Sequence, residues 1–250
     1  MSVRQACRIV DLPRSVYRYQ KVRKDDSVLM QALEELVARH PTIGFWKCYY
    51  RLRRKGYDCN HKRLHRVYKL LKLNIRRKIK RRLPQRVKQP LIVPEALNQA
   101  WSMDFMSDSL VDGRRFRLLN IIDDYNGESL WIEVDTSLPS LRVIRVLDRL
   151  AEMRGKPLRI RVDNGPEFVS DRPQLWYEER NIQLQFIQPG KPVQNAFIER
   201  NNGSLRRELL DAYHYFTLQE VRLMAEEWQQ DYNGSRPHQA LGFVPPLEYT

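Results

Sequence analysis

The chain has 250 residues, and 44 Lys and Arg against 30 Asp and Glu give it a formal charge of +14 at pH 7. Hydrophobic residues make up 42% and aromatic ones 10%, enough for a real core, which excludes a wholly disordered tail. No apolar run approaches the ~20 residues that cross a bilayer, and the positive balance implies a polyanionic partner rather than a membrane.

The first twenty residues are interrupted by Arg4, Arg8, Asp11, Arg14 and Arg18 and lack a signal peptide's apolar stretch, so a cytoplasmic setting is expected. Cys7, Cys48 and Cys59 cannot all pair, and nothing suggests an oxidising compartment. Charge is unevenly placed. Residues 1–90 hold 26 basic and 6 acidic side chains, a charge of +20, which leaves 18 basic and 24 acidic, or −6, for residues 91–250. A basic binding region is therefore joined to an acidic one.

In chain order, Ser2 to Tyr19 is a small helical element without clear boundaries. Leu29, Leu33, Leu36 and Val37 then recur at helical spacing up to His40-Pro41. A second helix runs from about Phe45 to Lys55, with Tyr49 and Leu52 on one side, and stops at Gly56. Asn60 is the N-cap of a third, containing Leu64, Val67, Leu70 and Leu71. Lys62, Arg63, Arg66, Lys69 and Lys72 on this last helix suit a helix-turn-helix that presents its final helix to double-stranded DNA. Cys59, His61 and His65 have the look of zinc ligands, but a fourth at sensible spacing is absent. Residues 1–75 thus read as a helical DNA-binding region. Residues 76–93, which include RRKIKRRLPQRVK, read as a basic linker lying along phosphates.

Beyond Pro94 the composition changes. Strand-like runs occupy Trp101 to Met106, Arg115 to Ile122, Leu130 to Val134, Leu158 to Val162 and Ile182 to Ile187. A helical stripe of Val143, Val146, Leu147 and Leu150 lies between the third and fourth, closed by Gly155, and a short helical piece near Gln174 to Arg180 precedes the fifth. A long helix follows from about Asn195. The β-β-β-α-β-α-β-α order predicts an α/β fold, a mixed five-stranded sheet flanked by helices in the ribonuclease H-like arrangement. It spans residues 94–212, with 213–250 as a helical extension.

Three acids stand out on this outline. Asp104 sits inside the first strand, in WSMDFMSD, where a charge needs a partner or a function. Asp163 closes the fourth strand in IRVDNGPEF, and Asn164-Gly165 turns the chain after it. Glu199 lies on the long helix, in NAFIERNNGSLRREL. If strands one and four are neighbours, the two aspartates share one edge and the helix brings Glu199 to meet them. Three converging carboxylates repel one another. Divalent metal relieves that repulsion, and hard oxygen ligands suit Mg²⁺ or Mn²⁺. Two ions ~4 Å apart would clamp a scissile phosphate. Asp108, Asp123 and Asp124 are weaker competitors for the same role.

Asp163 and Glu199 are separated by 35 residues. With WSMDF, VDNGPEF, QPGKPVQNAFIERNNGSLRRELLD, the IGFWKCYYRLRRKGYDCNHKRLHRVYKLLKL segment and the closing WQQDYNGSRPHQALGFVPP, the chain closely resembles the insertion-sequence-three family of bacterial transposases. The likeness is to their second-frame (OrfB) product, with its DDE integrase core, and it extends to retroviral integrases. The resemblance implies metal-binding catalytic roles for Asp104, Asp163 and Glu199. It places Arg206, two helical turns after Glu199, as a basic residue that holds DNA phosphate, and assigns DNA contacts to Lys191 and Asn195. Tyr232, Asn233, Arg236 and His238 are expected to pack and orient the terminal segment. One departure is Gly127 in IIDDYNGES, where relatives often carry Arg. The implied activity is cleavage and strand transfer at mobile-element ends, with water or a DNA 3′-hydroxyl as nucleophile. The implied partners are a homo-oligomer on nucleoid DNA and the first-frame (OrfA) product or a fusion with it.

Overall fold

A computed structural model describes residues 2–20, 25–75, 94–163, 165–169, 171–187 and 195–249. The basic linker and Lys191 lie outside them. Two short helices, α1 (Val3–Ile9) and α2 (Arg14–Tyr17), open the chain, followed by α3 (Ser27–Arg39), α4 (Phe45–Arg54) and α5 (His61–Leu70). The last three close over Leu29, Leu33, Leu36, Ile43, Cys48, Leu52, Leu64 and Val67. Their ends are set by local chemistry. Asn60 caps α5 by accepting the Lys62 N–H. After α4, Gly56 takes φ +88° while the Tyr57 N–H reaches back to the Leu52 carbonyl and the Gly56 N–H to that of Arg53. That pair of bonds satisfies carbonyls a helix end would otherwise orphan.

The sheet contains β1 (Ala100–Ser109), β2 (Arg115–Asp123), β3 (Ser129–Asp135), β4 (Arg159–Val162) and β5 (Gln183–Phe186), in the order β3-β2-β1-β4-β5. The first three are antiparallel, and β4 and β5 join β1 in parallel. All five expected strands are present with shifted ends. β1 runs on to Ser109, so Asp108 lies within it rather than at its end. The helix expected near Gln174 to Arg180 is α8 (Asp171–Glu179), and a further short helix, α7 (Pro166–Val169), not expected from sequence, precedes it.

Side chains alternate across the sheet. On one face Trp101, Met103, Leu119 and Ile121 pack under Val143, Val146, Leu147 and Leu150 of α6 (Ser140–Arg154) and Trp176 of α8. On the other, Met106, Leu118 and Val134 meet Leu205 of α9 (Ala196–Leu205) and Val221, Ala225 and Trp228 of α10 (Leu218–Gly234). Between these two helices the backbone widens to a π turn over Arg206–Leu210. Ser102, Asp104, Met106 and Asp108 therefore point to the α9–α10 side, while Trp101, Met103 and Phe105 face the opposite core.

The helical region docks on the C-terminal half through α4. Lys47 donates to Glu208 at 3.1 Å, Arg51 forms a two-pronged pair with Asp231, and Arg54 pairs with Glu248. Tyr50 stacks on Phe243 with centroids 4.0 Å apart. Arg236 donates to Ser204 and Glu208, Asn233 brackets the Ser129 backbone, and His238 bonds the Tyr232 carbonyl. These residues pack the terminal segment, as expected from sequence. Among the described residues no helix is long and apolar enough to cross a membrane.

Candidate active site

The site forms where β1 and β4 run side by side. Ala100, Trp101 and Ser102 pair with Arg159, Ile160 and Arg161 in parallel register. Continued two steps, that register puts Asp104 opposite Asp163, which follows β4 directly. The α9 helix crosses the same face, so Glu199 and Asn202, one turn apart, approach from above. Asp104 is half-buried, while Asp163 and Glu199 are exposed.

Asp104 is held on two sides. Its Oδ1 accepts the Phe105 N–H at 2.8 Å and its Oδ2 accepts Asn202 Nδ2 at 2.7 Å. The Asn202 Oδ1 in turn accepts Nδ2 of the fully buried Asn120 at 2.7 Å, and Asn120 is the residue across the ladder from Asp104. Burial pushes the Asp104 carboxyl up to about 6, with the negative fields of Asp163 and Glu199 adding to it and the two hydrogen bonds opposing. The three carboxylates thus sense one another. They do not yet converge, because among the described residues no three His, Cys, Asp or Glu side chains are grouped closely enough to hold a metal. Asp163 is held just past β4, its Oδ1 accepting the Gly165 N–H at 3.0 Å. Gly165 has room for that bond only because it lacks a Cβ, which would stand 2.9 Å from the same oxygen.

The other acids have structural partners. Asp124 is fully buried and takes Ser102 Oγ at 2.6 Å and Arg161 at 2.8 Å. Asp123 accepts the Asn98 and Tyr125 N–H groups. Arg206 is committed to Asp108 at 2.7 Å and to the Ser107 carbonyl at 2.8 Å, so the second acid of WSMDFMSD is its counter-ion. On α5, Arg63 and Arg66 share Asp26, whereas Lys62 and Lys69 are exposed with no ion pair among the described residues. Asn195 stands just before α9 with its Oδ1 buried and unbonded among the described residues. Cys59 is buried, and His61 and His65 pack edge-on or tilted against Tyr49, Trp46 and Phe45, which leaves the zinc arrangement unformed. The sequence reading missed Asn120 and Asn202. The available signal was an amide inside the otherwise apolar run of RFRLLNIID.

Integrase core domain models match residues 94–192 and 180–246. The chain is 40% identical, over all of its length and 90% of the relative, to an uncharacterized 31.7 kDa protein of insertion element IS407 from Burkholderia multivorans. It is 24% identical, over 97% of its length and 91% of the relative, to the putative transposase InsK for insertion sequence element IS150 of Escherichia coli. The integrase fold recurs in a simian T-cell lymphotropic virus intasome structure, with a TM-score of 0.53 and 16% identity over 80% of this chain and 73% of that one. The chain belongs to the insertion-element transposases with an integrase core, polynucleotidyl transferases built on a ribonuclease H-like fold.

Proposed function

We propose that the chain binds the ends of the insertion element that encodes it and performs metal-dependent DNA cleavage and strand transfer at Asp104, Asp163 and Glu199. The observation that carries this reading is the parallel register of β1 and β4, which aligns two aspartates far apart in sequence at one sheet end under the helix bearing Glu199. The all-carboxylate donor set suits Mg²⁺ or Mn²⁺, and an Asp104 carboxyl raised by burial and two like charges is what a divalent cation would relieve. When bound, two such ions supply activation of the attacking water or DNA 3′-hydroxyl and stabilisation of the leaving oxygen. The chain's own part is to position ligands. Asn202 and the Phe105 N–H fix Asp104, the Gly165 N–H holds Asp163 just past β4, and α9 presents Glu199 to the same face. No side chain serves as the nucleophile.

Residues 1–75 are assigned to DNA binding, 76–93 to a linker along phosphates, 94–212 to the catalytic core and 213–250 to its extension. Lys62 and Lys69 meet phosphates directly. Arg63 and Arg66 do so by exchanging Asp26, and Arg206 by exchanging Asp108, and Lys191 and Asn195, which precede the catalytic helix in sequence, are assigned to DNA contact. The protein acts as a homo-oligomer on nucleoid DNA in the cytoplasm, with the first-frame product or a fusion to it adding end recognition. Strand transfer of precut element ends in Mg²⁺ tests the core assignment. Wild type joins the ends, and Glu199→Gln does not. Equal activity in both proteins, or none even with the first-frame product supplied, overturns it.

A further inference from the structure

The cations of residues 2–75 are unequally committed. On α4, Lys47, Arg51 and Arg54 are held by Glu208, Asp231 and Glu248, and Arg53 by Asp58. On α5, Arg63 and Arg66 share Asp26. By contrast Arg4, Arg8, Arg14 and Arg18 are exposed and make no ion pair among the described residues, as is also true of Arg39, Lys55, Lys62, Lys69 and Lys72, and Asp11 is the one acid between residues 2 and 20.

These four arginines sit on a helix pair with defined geometry. Ser2 and Gln5 form a reciprocal cap at the start of α1. Its end is closed by the Leu12 N–H on the Cys7 carbonyl and the Asp11 N–H on that of Arg8, with Asp11 at φ 49°. Pro13 then starts α2, so residues 10–13 connect the helices. A link of that length is what joins the helices of a DNA-reading helix-turn-helix, whereas residues 55–60 between α4 and α5 make a longer one. Only Cys7 of this pair is buried, and Arg14, Ser15, Tyr17 and Arg18 all project outward together with Ile9, Val10 and Val16. Guanidinium groups beside apolar side chains match the major groove, which offers guanine acceptors and thymine methyls.

We propose that α1 and α2 form the element of this chain that reads bases at the transposon end, through Arg14, Ser15, Tyr17 and Arg18, while α5 supplies phosphate contacts. This rests on the reading that the chain binds element ends. The test uses the full chain and fluorescence anisotropy on a duplex carrying the element's terminal repeat and on a scrambled duplex of the same composition. Arg14→Gln/Arg18→Gln is expected to lose roughly tenfold or more of the preference for the repeat. Lys62→Gln/Lys69→Gln should weaken both duplexes alike and flatten the salt slope by about two. The proposal is overturned if the α2 variant keeps its preference, or weakens both duplexes equally. It also fails if that variant leaves DNA affinity intact but changes the assembly state seen by size-exclusion chromatography, since the exposed apolar side chains would then serve a protein contact. A wild type that prefers neither duplex overturns the end-binding reading itself.

Discussion

Asn202 joins the fold to the candidate active site, and its two roles can be separated. In Asn202→Leu the charge-assisted bond to Asp104 is lost and the buried Asn120 amide loses its acceptor. Hydrogen bonds to charged groups contribute about 1.5–3 kcal/mol, and an orphaned buried donor costs about 1–3 kcal/mol, so a loss of about 3–5 kcal/mol in stability is expected. Strand transfer should fall as well, because Asp104 keeps only the Phe105 N–H to orient it, and losing a bond that lowers its pKa leaves it more often protonated. The double variant Asn120→Leu/Asn202→Leu separates the two effects. Replacing both partners of the Asn120–Asn202 bond by apolar groups of similar shape removes the orphan, so urea unfolding should recover its share, about 1–3 kcal/mol, while the lost Asp104 bond is not recovered. Activity should stay low, since Asp104 is still unheld. Recovery of strand transfer in parallel with stability would refute the reasoning and make Asn202 a purely structural residue.

Other substitutions test neighbouring features. Gly165→Ala brings a methyl against the Asp163 carboxylate, so strand transfer should drop at least tenfold while the melting temperature changes little, and normal activity would show that Asp163 does not need that turn. Asp124→Leu leaves Arg161 buried without its partner and should cost about 3–5 kcal/mol in urea unfolding, with Asp124→Leu/Arg161→Met recovering much of it. His238 is pushed down to about 3 by burial and by Arg236, so below its unfolded value only the unfolded chain takes up the proton and stability falls as pH drops, by at most about 1.4 kcal/mol per pH unit. Asp104 and Asp124, both pushed up to about 6, act in the opposite sense. The diagnostic is therefore the stability gap between wild type and His238→Gln, which narrows on acidification from about pH 7 to about pH 5, and parallel curves would exclude a titrating His238.

Much of this was legible in the chain because strands and helices write their own periods. The alternation in WSMDFMSD fixes which face Asp104 takes, and Asn60 and Gly56 mark helix ends through bonds made within a few residues. The parallel neighbourhood of β1 and β4 was a conditional expectation, and the observed register meets it. What sequence spacing could not show are the long-range partners. Arg206 falls two turns after Glu199 and reads as a free phosphate ligand, yet its counter-ion is Asp108, on a strand nearly a hundred residues earlier. Glu208 looks like one acid among several on a helix. In the fold the π turn sets it to receive Lys47, Arg236 and Trp228 at once, and Arg236 and Lys47 hold its carboxyl below the usual range against the opposing effect of burial.

The charge split between the two halves carries more than the attraction of DNA and the need for metal. Part of the acidic half neutralises the basic one: Glu208, Asp231 and Glu248 take three cations of α4. The exposed Arg54 pair contributes little on its own, as surface ion pairs do. The Arg51–Asp231 pair differs, since the Arg51 side chain is only 10% exposed, and removing one partner from such a pair strands the other charge at a cost of several kcal/mol. The Tyr50–Phe243 stack adds an apolar anchor beside it. DNA phosphates must therefore compete for α4 against a partly desolvated network, whereas α5's lysines and the arginines of α1 and α2 are available without breaking anything. The docked α4 joins the helical region to the C-terminal half, and on the reading proposed above the polyanion is received on the helices around it.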